Sequence, residues 1–400
     1  MKIGILTFHR SYNYGAFMQC YSLCSRLRSA FPDAEFEVVD YTSPKAMVGY
    51  EREIVNLKTE AARRAIRDRN AAFVPCQQEL PLSTLQLVTD DMAEIAAYLN
   101  DRYDAVIVGS DAVWNWKTRG FPNIYFLKDY HGKKLSYAAS AHGLDFRATT
   151  QEQRDYLQQA FSSFDYIGVR DCNTEKMVQS VLPEASVFHN CDPTVLLSLE
   201  SVPCDREALR RKMEARGVDF SKPLIGLMAG QTIGAAVKRH YKDSVQFVAV
   251  YTANPSADVF LNDLTPYEWA NVFSFFRVTL THFFHGTLLS LRNGTPVIPV
   301  EMLDGFSSQN VTKIEDLLTR LDLLSWREVL DHRRYGRIRR AADRVFQRGD
   351  STVWNRVISK IDSFLAEDQK PMIFDRLQRE AQSFDTFADA LSAIISDKEG

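Results

Sequence analysis

The stretch that decides the fold is Lys2-Ile3-Gly4-Ile5-Leu6-Thr7-Phe8-His9-Arg10-Ser11-Tyr12-Asn13-Tyr14-Gly15-Ala16. Its apolar run, Ile3 to Phe8, is too short for a signal peptide and breaks into a polar loop with a glycine, His9 to Gly15. That pattern predicts a buried strand followed by a turn. Apolar residues at Phe17, Tyr21, Leu23 and Leu27 then follow a helical period, and Phe36 to Asp40 predicts a second strand. Strand, loop, helix and strand in this order open a βαβ unit, which requires a parallel sheet.

Working outward, the same alternation continues. Asp104–Gly109, Lys134–Ala139 and Tyr166–Val169 predict strands, with a helix over 149–162. A basic helix over 205–216 leads to strands at Pro223–Met228, 245–251, 277–281 and Pro296–Val300, with helices over 265–275 and 285–293. Residues 46–75 are charged and read as a helical insertion or lid. Four hundred residues exceed one ordinary core. The expectation is two facing doubly wound, Rossmann-like α/β domains with a central cleft, residues 1–205 and 206–330, and a helical tail over 331–400.

Composition narrows the function. The chain is 45% hydrophobic and 25% charged, as globular proteins are. A net charge of −3 gives no global pull on nucleic acid. No window approaches the about 20 apolar residues of a membrane span. The six cysteines lack metal-ligand spacing, and Cys20 and Cys24 fall within an apolar helical pattern, so they read as core thiols in a reducing, cytoplasmic setting. Neither GxGxxG nor GxxxxGK[ST] occurs.

Ligands of open parallel sheets bind at the carboxyl ends of strands. Four loops fall there. Ser11, Asn13 and Gly15 could hold an anion with backbone N–H groups, or simply form a turn. Ser110, Asp111 and Asn115 could meet sugar hydroxyls, or cap a helix. Arg170 carries a planar fork suited to carboxylate or phosphate, with a salt bridge to Asp171 or Asp192 as the plainer use. His285, with Gly286 and Thr287, opens a helix after a strand, where it serves chemistry or packs as a core histidine.

Together and in order, these segments resemble the polysaccharide pyruvyl transferase family. The resemblance is carried by Lys2–Ala16, Val108-Gly109-Ser110-Asp111-Ala112-Val113-Trp114-Asn115, Ser136–Ser140, Val169-Arg170-Asp171, Asp192-Pro193-Thr194, Phe284-His285-Gly286-Thr287 and Lys313–Leu318. It implies a GT-B-like fold and pyruvyl transfer from phosphoenolpyruvate to a sugar or lipid-linked oligosaccharide acceptor, forming a ketal. It also implies Arg170 on the donor's carboxylate or phosphate, and His285 as proton donor or phosphate ligand. Ser11, Asn13, Gly15, Ser110, Asp111, Asn115, Gly286 and Thr287 would line the substrates. No cofactor and no metal are required. The chain departs from the family at Ala112, commonly Gln, at Asp171, commonly Glu, and at His282 and Phe283, where polar residues including Arg are usual. Phe283 keeps open a catalytically degenerate, glycan-binding member. A sugar-nucleotide glycosyltransferase of the same fold is the rival enzyme.

In the tail, Arg333, Arg337, Arg340 and Arg344 form one stripe on a helix. It reads either as a solvated face or as a peripheral contact with the inner membrane surface, where acceptors of this family are often carried.

Overall fold

A computed structural model describes residues 1–46, 59–229, 231–302, 310–330 and 351–396. The chain divides into two units, Met1–Leu197 with Glu380–Gly400, and Ser198–Arg379.

The first unit holds β1 (Lys2–Leu6), β2 (Glu35–Val38), β3 (Tyr41–Thr42), β4 (Leu87–Val88), β5 (Ala105–Val108), β6 (Lys133–Ala139), β7 (Tyr166–Val169) and β8 (Val187–His189). Six of them form one sheet in the order β2-β1-β5-β6-β7-β8. Its pairings are parallel throughout. Ile3, Ile5 and Leu6 of β1 are fully buried, as expected where helices cover both faces. The order reverses at β1 and β5, so the crevice at their carboxyl ends is where the fold favours a ligand.

Helix Tyr14–Ala30 starts where the Asn13 carboxamide accepts the N–H groups of Gly15 and Ala16 at 2.9 and 3.2 Å. The charged segment read as an insertion yields helix Glu60–Gln78, which runs through Pro75. Residues 47–58 of that segment lie outside the described ones. The helix is anchored rather than detached: Phe73 is fully buried and meets Tyr14 and Phe17 at ring distances of 4.6 and 6.3 Å.

The second unit holds β9 (Leu224–Met228), β10 (Gln246–Val250), β11 (Val259–Leu261), β12 (Val278–Thr281), β13 (Val297–Met302) and β14 (Glu328–Leu330). They form a second six-stranded sheet in the order β11-β10-β9-β12-β13-β14. All its pairings are parallel as well, with the reversal at β9 and β12. Helix Pro266–Val272 begins on a capping box between Thr265 and Glu268, with proline in its first position.

The expected tail is not a third body. Amphipathic helices must bury their apolar stripes on a core, and these helices divide between the two available. In helix Ser351–Ala366, Val353, Trp354, Val357, Ile361 and Phe364 are buried within the second unit. Buried Glu328 of β14 accepts a two-pronged contact from Arg356 and one from Lys360 at 2.6 Å. Helix Ser383–Ser396 belongs to the first unit, where Phe387 meets Tyr137 and Tyr166 at 4.9 and 5.3 Å. There the Cys191 N–H donates to Ser383 Oγ at 2.8 Å, and Asn190 donates to the Ser383 carbonyl at 3.1 Å. The arginine stripe at 333–344 lies outside the described residues.

Candidate active site

The carboxyl ends of the first unit's strands carry charge. Arg170, directly after β7, is 2% exposed. Its Nη1 donates to Asp192 Oδ2 at 3.0 Å, and its Nη2 lies 4.0 Å from Asp111 Oδ1. Asp192 Oδ2 also accepts the Gln19 carboxamide at 2.5 Å, while Oδ1 accepts the N–H of Thr194 at 3.0 Å and its hydroxyl. This buried carboxylate is therefore paired and richly hydrogen-bonded, which is what makes its charge tolerable. Of the two acids expected beside Arg170, Asp192 makes the pair. Asp171 instead caps helix Cys172–Val181, accepting from Thr174 N–H at 2.9 Å and from the Ser140 hydroxyl at 2.6 Å.

Asp111 is the solvent-facing member of this group, its side chain 24% exposed and its φ at 83°. It follows Gly109, whose φ is +117° and whose absent Cβ would lie 2.2 Å from the Tyr137 carbonyl oxygen. Only glycine permits that approach, and it brings the turn against β6. Between them Ser110 is 1% exposed. Its carbonyl accepts the Thr7 hydroxyl at 3.1 Å, and its own Oγ has no hydrogen-bond partner among the described residues.

Beside it, the end of β1 meets the end of β2. His9 is fully buried, and its Nε2 donates to Asp40 Oδ1 at 3.0 Å. Arg10 grips the same carboxylate with two nitrogens, Nε at 2.8 Å from Oδ1 and Nη2 on Oδ2. Burial opposes the charge on Asp40, but the hydrogen bonds from His9 and Arg10 outweigh it and hold the carboxyl at about 2. Arg10 also borders a cavity of about 440 Å³. Its walls come from Phe8 and Ser11 after β1, from Tyr41 to Ala46, from Asp90 and Met92, and from the segment between Thr118 and Tyr125.

In the second unit the corresponding edge is aromatic. His285 lies, half-buried, in the first turn of helix Phe284–Arg292. Phe283 stands edge-on to Tyr251 at 5.1 Å, and the His282 ring lies 4.1 Å from it. Burial pushes the His282 imidazole below its ordinary value. A Cβ on Gly286 would come within 2.6 Å of Thr281 Oγ1 and 2.9 Å of the Met228 sulfur, so this glycine allows the helix to close on the sheet. Thr287 is fully buried and its hydroxyl donates to the Phe283 carbonyl at 3.1 Å.

The candidates read from sequence thus separate by use. Arg170, Asp111 and Ser110 gather at the ends of β5 and β7, and Ser11 lines the cavity. Asn13 caps its helix, with Gly15 supplying one of the capped N–H groups. Asn115 is committed at both ends of its carboxamide, donating to the His142 carbonyl at 2.6 Å and accepting from Lys117 N–H at 3.1 Å. Five participants went unread as site residues: His9, Arg10, Gln19, Asp40 and Tyr41. Gln19 carried a signal, since it is a lone carboxamide in the apolar helical run from Phe17 to Leu23. Among the described residues, no group of three or more His, Cys, Asp or Glu is placed to hold a metal ion, and no helix is long and apolar enough to cross a membrane.

Two solved structures share this two-unit architecture, and both are of the GT-B fold. The UDP-GlcNAc 2-epimerase from Neisseria meningitidis bound to UDP-GlcNAc is similar at a TM-score of 0.51 and 10% identity, over 96% of this chain and 100% of that one. A protein assigned as a UDP-N-acetylglucosamine 2-epimerase from Listeria monocytogenes is similar at 0.52 and 10%, over 99% and 97%. At that identity the likeness defines the fold alone: two doubly wound α/β units. No curated protein matches the sequence. The polysaccharide pyruvyl transferase family matches residues 13–303, and the chain belongs to that family.

Proposed function

We propose that this protein transfers a pyruvyl group from phosphoenolpyruvate to two hydroxyls of a sugar, in a cell-surface glycan or its lipid-linked precursor. The observation that carries this reading is the family match over 13–303, whose motif residues fall at the carboxyl ends of strands in both units. The chemistry needs a cationic, N–H-rich pocket for the donor's phosphate and carboxylate, an acid and a base. An acid protonates the donor's methylene carbon, leaving C2 electrophilic. A base takes the proton of the first sugar hydroxyl as its oxygen bonds to C2. The second hydroxyl then closes the ketal, and phosphate leaves with the electrons of the C2–O bond and the remaining proton.

His285 suits the acid, because an imidazole can both give and take a proton. It also stands among the N–H groups of a helix start, where a phosphate is well received. Arg170 suits the donor's negative charge. Asp111, the exposed carboxylate beside it, suits the base. The reaction runs in the cytoplasm or at the inner membrane face, where a lipid-linked acceptor is presented. Phe283 favours a second reading, glycan binding without transfer, because a hydrophobe stands where family members carry a donor.

The deciding assay offers phosphoenolpyruvate and a panel of free and lipid-linked glycans, following phosphate release and acceptor mass. Release that depends on both substrates, with a ketal-sized mass gain, supports the proposal. Consumption of a nucleotide sugar instead would make it a glycosyltransferase. Neither reaction, with retained glycan affinity, would leave the binding protein.

A further inference from the structure

The cavity beside Arg10 sits where the first sheet reverses its order. It is bounded by the loop after β1 and by the segment that follows the β5 loop. Its volume of about 440 Å³ lies in the range of about 300–1,000 Å³ typical of small-molecule sites. Its wall is built twice over. Phe8, Tyr125 and Tyr41 form a chain of edge-on rings, with centroids at 5.2 and 6.1 Å, so the aromatic side is fixed by packing. Opposed to it in character are Ser11 and Thr42 hydroxyls and the Arg10 guanidinium.

The charge pattern is as informative. Arg10 does not enter as a bare cation, because Asp40 takes two of its three nitrogens. Asp40 is in turn held by fully buried His9, so the guanidinium plane is set from behind. Lys45, on the wall, shares it with the carboxylate of Asp90. An anionic ligand would therefore meet no net excess of positive charge. A pyranose ring would meet what it needs: flat apolar surface for its C–H face, and oriented donors for its hydroxyl rim.

We propose that this cavity is the acceptor subsite, that it takes one uncharged pyranose ring, and that Arg10 is its hydrogen-bonding determinant, positioned by Asp40 and His9. The inference rests on the transferase reading only for the word acceptor; the binding of a neutral sugar stands or falls alone.

The test uses the full chain without donor. Methyl glycosides of glucose, galactose and mannose are titrated by saturation-transfer NMR, with glucuronate and hexose 6-phosphate as charged controls. At least one neutral glycoside should bind, and its affinity should fall fivefold or more in Tyr41→Ala and in Arg10→Gln while Tm moves little. Binding of the charged sugars alone, or of neutral sugars with undiminished affinity in both variants, would overturn it. Should a variant lose Tm, Ser11→Val repeats the measurement at a wall position outside the ion pair. With donor present, both variants should raise the acceptor KM and leave the phosphoenolpyruvate KM unchanged. Neutral-sugar binding without any pyruvyl transfer would keep the subsite and sink the transferase; transfer with an unaltered acceptor KM would do the reverse.

Discussion

The two units share a doubly wound plan yet furnish their carboxyl edges differently. In the first, two ion-pair groups stand at the strand ends, Arg170 with Asp192 and Asp111, and His9 and Arg10 with Asp40. In the second, Tyr251, Phe283 and His282 present ring against ring, and His285 stands edge-on to Phe284. The lesson is that sheet order fixes where a ligand goes, while the side chains at those strand ends fix what it can be. Charge is affordable on the first edge only because every carboxylate there is answered by donors.

The largest expected effect breaks that compensation. Arg170→Ala strands the Asp192 carboxylate, and removing one member of a buried pair typically costs about 3–5 kcal/mol. Chemical denaturation should show that loss, and adding Asp192→Asn should recover much of it. If Arg170 also holds the donor, the double variant stays inactive although refolded. Recovery of turnover along with stability would make Arg170 a structural ion pair alone.

On the aromatic edge the expectation is reversed, with chemistry lost and stability kept. His285→Gln should lower turnover by about 10² to 10⁴, the usual worth of acid–base catalysis, with little change in Tm. Equal loss in donor affinity would assign His285 to phosphate binding, and no loss at all would leave it as packing. Phe283→Arg sharpens the contrast by returning the family's cation to this edge; a lowered phosphoenolpyruvate KM is expected.

The smallest effect concerns pH. Asp40 is held at about 2, below its ordinary 3.8, so its contribution to stability is complete above pH 4 and drains away as pH falls toward 2. The contribution is on the order of 2 kcal/mol. Urea midpoints at pH 5 and pH 2.5 should diverge by less in Asp40→Asn than in the wild type. Equal divergence would mean that other carboxylates, such as Glu37, also held low against burial by Tyr103, Arg102 and Lys2, carry the acid sensitivity.

Much of this plan was legible beforehand, because long apolar strands announce themselves. Tyr166–Val169 was read to the residue, and Leu224–Met228 within one. Three-residue strands such as β8, β11 and β14 carry no periodicity to read, and helix Met92–Arg102 went unmarked. The site was legible in part. Arg170, Asp111 and His285 stood out by their place after strands. Asn13 and Asn115 have the same chemistry as a sugar ligand and as a helix cap, and sequence alone does not separate the two. The His9–Asp40 pair spans 31 residues, and the cavity draws on four separate segments, so neither exists until the sheet assembles.

The return of helix Ser383–Ser396 to the first unit gives synthesis an order. The edge strand β8 and the rings of Tyr137 and Tyr166 are made before the second unit, but their cover is made after it. The first unit is therefore completed only after the second has been made. Until then its uncovered apolar edge is the part of the nascent chain most in need of a chaperone.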